Sequence, residues 1–581
     1  MIRRLILVAA AVLVAAACDK TGGETVTPLG VPQNVVLHGA TETSLTFQWI
    51  VVEGATGYAW KLTLDGALAK EGSVSSRNVI VSGLSKGTTY GFSVCAVKGT
   101  EKSAYSTEIT AKTLGTAPVD GGKVCVDAPV VIEFDSTPVL GTSGLIRVLK
   151  ADGTEVDKID LSDIATVDIL SDGTMIPKGA DADNGKIAIN NDYVYNTFMD
   201  ALHSGQYRVV HYTPLRVSAR ALEIKLHNEA LDYGTTYTVK VDESVVGKPV
   251  EDITFTTKAK PSGDVVRVAA DGSGDFCTVQ GALSFVSANV GKDAAVTIEV
   301  ANGTYRELLF LRNMNNVTIK GASRSGVVIA YPNNDSYETG SGSSKESRPS
   351  LGGSIGKSGG RSLFLVELCD NLVLENLTIE NTYSIPSHKG QAEAIYFNSA
   401  HRLTVENCSL ISWQDTFQCK GKVWVHNSLI AGHCDYIWGG AEACLFEDCE
   451  IRSRAAGYIV QARVQSASNK GFVFLNCRLT AEDGVGSGKM YLARSAGPDK
   501  DGLYPGFDNV VYVNCTMEAV IRAEGWLGNP APNPSTPTAT SGWREYGSKG
   551  EGASSARNSF GKMLSTEEAS IYCSRQDVLG W

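Results

Sequence analysis

Two aspartates, Asp415 and Asp435, stand twenty residues apart in the stretch WQDTFQCKGKVWVHNSLIAGHCDYIWGG, residues 413–440. Gln414 precedes the first, and Tyr436 and Trp438 follow the second. Two carboxylates held side by side cannot ionise independently, and unequal surroundings drive their proton affinities apart. One then serves as a protonated acid and the other as an ionised nucleophile or base. Whether they meet depends on the elements that carry them.

The elements are legible as a repeat. Seven phrases share a strand-like alternation ending in Asn, Asp or Gly: NVTIKG at 316, NLVLEN at 371, RLTVEN at 402, KVWVHN at 422, ACLFED at 443, GFVFLN at 471 and NVVYVN at 509. Their starts differ by 55, 31, 20, 21, 28 and 38 residues. A minimum near twenty with longer insertions is the mark of a solenoid whose loops absorb extra length. Alternation within each phrase gives strands, and the absence of two-residue hairpin turns argues against a meander. The expected fold is a parallel β-helix. Asp415 and Asp435 each lie thirteen residues after a phrase start (402 and 422), so they occupy one position on consecutive rungs. Adjacent strands are roughly 4.8 Å apart, which brings the carboxylates side by side. The residue after each of the last six phrases is Leu377, Cys408, Ser428, Cys449, Cys477 or Cys515. Such small, fairly apolar side chains read as an inward ladder, with the four cysteines as core thiols.

The 581 residues are 43% hydrophobic and 20% charged, as in globular proteins, with 52 basic and 63 acidic side chains giving a net charge of −11. That balance argues against general nucleic-acid binding. No Cys-x-x-Cys or His-Glu-x-x-His phrase occurs, so neither a metal nor a cofactor is expected. Residues 1–18, MIRRLILVAAAVLVAAAC, place two arginines before a short apolar run ending at a cysteine. The run is too short to span a bilayer. It resembles a bacterial lipoprotein signal with Cys18 as the lipidated residue. The resemblance implies a cell-envelope protein anchored to the outer membrane, periplasmic or surface-exposed. After a linker at 19–30, residues 31–115 resemble a fibronectin type III domain, with Trp49, Tyr58, Leu84 and Tyr90 as its core. Residues 116–259 read as a second β-sandwich, similar to bacterial Ig-like domains, and Lys258 to Gly263 as a linker.

Residues 264–581 resemble the pectin methylesterases. The resemblance rests on DGSGDFCTVQGAL (271–283), GTYRE (303–307), QAEAI (391–395), QDTF (414–417), DYIWG (435–439), VQAR (460–463), YLAR (491–494) and SGWREYGSKG (541–550). It implies an all-β chain in which two β-sandwich modules precede a right-handed parallel β-helix. It also implies hydrolysis of methyl esters of galacturonate residues in pectin. By the resemblance Asp435 is the nucleophile and Asp415 the general acid, then base. Gln391 and Gln414 are the oxyanion donors, and Arg494 holds the nucleophile. Trp438 is expected to face the sugar and Tyr436 to sit behind it, although the two can exchange roles. Both, with Thr304 and Gln461, are the expected substrate contacts. One departure stands out: the family's Leu-Gly-Arg-Pro-Trp is here Leu492-Ala493-Arg494-Ser495-Ala496. Tyr504 and Trp526 are the candidates to replace the lost tryptophan.

Rival chemistries find less support. Ser354 satisfies Gly-x-Ser-x-Gly but lies in a Gly/Ser-rich insertion rather than a strand–turn–helix. The phrases of β-helix polygalacturonases and the dense acid cluster of a calcium-dependent lyase are absent. A pectin-binding surface lipoprotein without activity remains the alternative of a different class.

Overall fold

A computed structural model describes residues 29–40, 44–85, 88–113, 123–161, 167–169, 175–177, 198–201, 209–212, 214–218, 220–334, 360–383, 390–498, 501–503, 506–528 and 536–581. Cys18 with its leader, Ser354 and Tyr504 lie outside these residues.

The first module is antiparallel throughout. Val36–Ala40, Ser44–Gln48 and Asn78–Ser82 form one sheet, and Gly57–Leu64 pairs with Ala67–Val74 and Thr89–Lys98 in the other. Trp49, Tyr58, Leu84 and Tyr90 are all buried in its core. The two tyrosines keep a polar handle, because Tyr58 Oη accepts the Val52 N–H and Tyr90 Oη that of Ser85. The second module has its own two-sheet core around Ile146, Val148, Leu222, Tyr237 and Phe255.

From Val265 the chain winds into a parallel β-helix. Eleven strands, from Val265–Val268 to Gly561–Met563, form one continuous parallel sheet, and all seven repeat phrases are consecutive members of it. Register is strict. Leu372, Leu403, Val423, Cys444, Phe472 and Val510 align rung to rung, and all are buried. Each such aliphatic side chain contributes about 1.5–3 kcal/mol by leaving water.

The residue ending each of the last six phrases makes the corner. Asn376, Asn407, Asn427, Asp448, Asn476 and Asn514 are all left-handed, with φ between 46° and 56°. Asparagine and aspartate tolerate that region because their short polar side chains bond locally. The asparagines also bond to one another, Asn407 Nδ2 donating to Asn376 Oδ1 at 2.8 Å. Directly after the corner, Cys408, Cys449, Cys477 and Cys515 point inward as free, buried thiols. Each Sγ–H reaches a carbonyl of the preceding rung: Leu374, Val425, Phe446 and Phe474.

The helix Val279–Asn289 closes the N-terminal end of the solenoid, burying Val279, Ala282, Leu283 and Val286. Its start is capped from three directions. Thr278 accepts the Gly281 N–H, and Glu307 accepts those of Val279 and Gln280. Asp127, from the second module, accepts the Cys277 and Thr278 N–H groups and the Thr278 hydroxyl. Lys258, expected to open a linker, instead donates to the carbonyls of Gly272 and Gly274, so the junction is a docked contact. Cys125, Asp127 and Cys277 bring possible ligand atoms within 4.8 Å of one another there. Both Asp127 oxygens are already committed to the helix start.

Among the described residues no helix is long and apolar enough to cross a membrane.

Candidate functional site

The site lies across five neighbouring rungs of the β-helix, those of Gln391, Asp415, Asp435, Gln461 and Arg494. Gln391 bridges Gln414, which bridges Cys434, all in parallel, and Phe417 pairs with Ile437. Asp415 and Asp435 are thus at equivalent positions on adjacent strands, as the repeat requires. Both are left-handed, φ 64° and 48°. The strand carrying Asp435 shifts register around Cys434 against its next neighbour, so the ladder is interrupted where the carboxylates emerge. Non-glycine residues in this conformation, set in broken ladders, concentrate at functional sites.

The two acids have different partners. Asp435 is gripped by Arg494, whose Nε donates to Oδ1 at 2.7 Å and whose Nη2 donates to Oδ2. Gln461 Nε2 adds a third bond to Oδ2 at 2.8 Å. The hydrogen bonds and charge of Asp435 raise the proton affinity of the Arg494 guanidinium further, despite its partial burial. A forked pair of this kind fixes both the charge and the orientation of the carboxylate.

Asp415 accepts from Gln391 Nε2 at 3.0 Å and from Arg361 Nη2 at 3.1 Å. Burial pushes its carboxyl well above the usual carboxylate range. The neighbouring charges of Glu393 and Asp435 push the same way, while Arg361 and Arg463 oppose them. Arg361 is itself divided: Nε donates to Glu393 at 2.7 Å and Nη1 to the Gln391 carbonyl.

The amides are oriented. Gln391 has its carbonyl held by Arg361, and Gln414 Oε1 accepts the Gly390 N–H at 3.3 Å, so each presents its NH2 as the donor end. Trp438 lies on the strand beside Gln418 and Gln461, edge-on to Tyr396, with the Arg361 and Arg463 guanidinium carbons 5.5 and 5.3 Å from its ring centre. Its indole N–H is buried without a partner among the described residues.

Asp415, Asp435, Gln391, Gln414, Arg494, Gln461 and Trp438 are therefore assembled in one place. Two expected substrate contacts are not. Tyr436 is fully buried, its hydroxyl 3.4 Å from Ser453 Oγ, so it is the structural member of the aromatic pair. Its ring lies in the core of the β-helix, as does the side chain of Ile437 next to it. Thr304 lies on Gly303–Tyr305, whose ladder runs through Val328, Thr378 and Ser409 to Leu429, the other arm of the bent strand Leu429–Gly439. That places it several rungs from the aspartates and on a different face. Trp526 stacks on Trp543 in the core and presents no replacement for the tryptophan absent at Ala496.

Arg361 and Glu393 escaped the sequence reading. Their signals were present: an acid inside the apolar alternation of QAEAI, and an arginine opening the buried run RSLFLVE. A charge inside a buried strand needs a partner.

Residues 264–579 match the family profile described as Pectinesterase, and residues 30–112 that described as Fibronectin type III domain. Among curated relatives, Pectinesterase 31 of Arabidopsis thaliana is 34% identical over 266 residues, covering 45% of this chain and 76% of the relative. Pectinesterase A of Emericella nidulans is 26% identical over 329 residues, covering 56% and 90%. Among solved structures, a pectin methylesterase from Erwinia chrysanthemi is 26% identical, covering 55% of this chain and 98% of that one, with a TM-score of 0.44. One from carrot is 22% identical, covering 56% and 95%, also at 0.44.

Proposed function

The chain belongs to the pectinesterase family and is a carboxylic ester hydrolase of pectin, and we propose that Asp435 and Asp415 divide its chemistry between them. Asp435 attacks the C6 carbonyl carbon of a methyl-galacturonate unit. The developing oxyanion is met by the NH2 groups of Gln391 and Gln414, and a donor of this type is worth about 3 kcal/mol in the barrier. Asp415 gives its proton to the departing methoxy oxygen, releasing methanol and leaving an acyl group on Asp435. The carboxylate of Asp415 then takes a proton from water, which attacks the acyl carbon. Galacturonate leaves, and both aspartates return to their starting states.

The observation that carries this reading is the asymmetry of the pair. Asp435 takes a forked pair of bonds from Arg494 and a third from Gln461, whereas burial and neighbouring charge favour the protonated form of Asp415. Trp438, on the strand between Gln418 and Gln461, is the apolar wall offered to the sugar. Ala496 removes a second wall, which points to an altered preference among pectic chains rather than lost chemistry.

The apolar run before Cys18 supports export and lipid anchoring to the outer membrane of a bacterial envelope, with the two β modules as a stalk.

The test is methanol release from highly methylated pectin by the chain lacking residues 1–18, with and without Asp435→Asn. Release that disappears in the variant supports the assignment. Release that persists removes Asp435 from the nucleophile role.

A further inference from the structure

Each aspartate of the site touches one arginine, yet the two arginines are not used alike. Arg494 gives two bonds to Asp435 and none to another carboxylate among the described residues. Arg361 gives its shortest carboxylate bond to Glu393, at 2.7 Å, and only the longer one, 3.1 Å, to Asp415. Glu393 is completely enclosed, and Arg361 is 12% exposed. A buried glutamate is retained as an ion only where a cation and hydrogen bonds meet it.

We propose that Glu393 is a positioning residue that sets the proton on Asp415 by taking up the charge of Arg361. The proposal rests on the reading of Asp415 as proton donor and deepens it. Following which arginine bonds which carboxylate makes the case. Arg494 is committed to Asp435, and Arg463 spends its guanidinium on the Gln461 carbonyl. Among the described residues Arg361 is the one cation bonded to Asp415, and its charge is already met by Glu393. Without the Glu393 carboxylate, the guanidinium of Arg361 would stand uncompensated 3.1 Å from Asp415 and would draw it toward the ionised form. An ionised Asp415 has no proton to give to methoxide.

The same geometry serves the second half of the reaction. Once Asp415 has passed its proton to methanol, Arg361 Nη2 is already in place to stabilise the new carboxylate while it acts as a base. No atom of Glu393 or Arg361 is transferred. The guanidinium shifts its weight between two carboxylates on neighbouring rungs as the proton leaves and returns.

The groups facing Asp415 are few. Arg361 comes from the rung two before it, and Gln391 and Glu393 from the one before. Asp435, already paired with Arg494, faces it from the rung after, with Arg463 beyond. The Tyr396 hydroxyl and the Cys434 thiol complete the set, the first beside Arg361 and the second beside both aspartates. Only Glu393 combines full burial with a direct bond to the arginine that Asp415 uses.

The experiment follows the Asp415 carboxyl in the full chain lacking residues 1–18, by the carboxyl 13C resonance of isotope-labelled aspartate, assigned by its loss in Asp415→Asn. In Glu393→Gln the midpoint of Asp415 should fall by at least about one pH unit. The alkaline limb of kcat/KM for methanol release should move down with it, a roughly tenfold loss near that limb and little at lower pH. In Arg361→Gln the midpoint should move the other way. Opposite shifts from the two halves of one pair are not produced by loosened packing, and either variant alone suffices if the other does not fold. An Asp415 midpoint that stays in place in Glu393→Gln, or a uniform rate loss with unchanged limbs, overturns the proposal. Methanol release by Asp415→Asn at the ordinary rate would instead overturn the proton-donor reading, while the titration still decides what Glu393 does.

Discussion

Gln461 donates from Nε2 to Asp435 Oδ2 at 2.8 Å while its carbonyl oxygen accepts from Nε and Nη2 of Arg463 at 3.0 and 2.6 Å. The arginine fixes which end of the amide meets the aspartate. Gln461 therefore meets Asp435 only as a donor, a bond that is stronger to a carboxylate than to a neutral acceptor. Replacing it by alanine should lower kcat by roughly tenfold, the loss of about 1–2 kcal/mol from one bond to a charged acceptor, with KM little changed. Steady-state methanol release checks this. An unchanged kcat would show that Arg494 alone orients Asp435.

Gln414 and Gln391 differ in what else they hold. Gln414 spends its carbonyl on the Gly390 N–H alone, so Gln414→Ala should cost about 3 kcal/mol in kcat, on the order of 10²-fold, with the pH profile preserved. Gln391 also links Arg361 to Asp415. Gln391→Ala should therefore lower kcat and displace a pH limb together. Paired pH–rate profiles of the two variants separate these outcomes.

Glu307 gives the β-helix a pH-dependent end. It is buried under the start of the helix Val279–Asn289, and burial raises its carboxyl from 4.5 to about 7 despite the two N–H bonds it accepts. The folded state thus binds the proton more tightly than the unfolded chain. Its contribution is fully present below about pH 4.5 and is lost as pH rises through 7, up to about 3 kcal/mol. The difference in denaturant midpoint between the unmodified chain and Glu307→Gln should change by that order between pH 5 and 8. A difference independent of pH would contradict it.

Asp127 caps a helix that belongs to another module. Asp127→Ala in the full chain leaves the Cys277 and Thr278 N–H groups without this acceptor and should lower stability by about 1–2 kcal/mol. Methanol release at 25 °C should be unaffected, because Asp127 sits at the end of the solenoid and not among the rungs of the site. Thermal unfolding monitored alongside activity tests both halves.

What the sequence disclosed follows from periodicity. The seven phrases align in one sheet because each carries the alternation of a strand and a corner residue that accepts left-handed geometry, and both are local properties. The flanking strands Val265–Val268, Val296–Val300 and Gly561–Met563 extend the same sheet unannounced, since none ends at such a corner, whereas Trp543–Tyr546 does end at one, the left-handed Gly547. The aspartate pair was legible as two equal offsets from two phrase starts. Arg361 was not, since the insertion before it breaks the count and its partners come from later rungs. Thr304 was misplaced for a related reason: a motif fixes order along the chain, whereas a β-helix has several faces, and spacing alone does not say which one a residue joins.

The inward thiols after the corners carry one more consequence. Cys408, Cys449, Cys477 and Cys515 are native, unbonded and sealed from solvent at a recurring station along the solenoid axis. Each becomes alkylatable only when its own coil parts, so the chain holds four clocks wound at different depths. A solenoid that unzips from its C-terminal end starts the Cys515 clock before that of Cys408. One that opens as a single cooperative unit starts all four together.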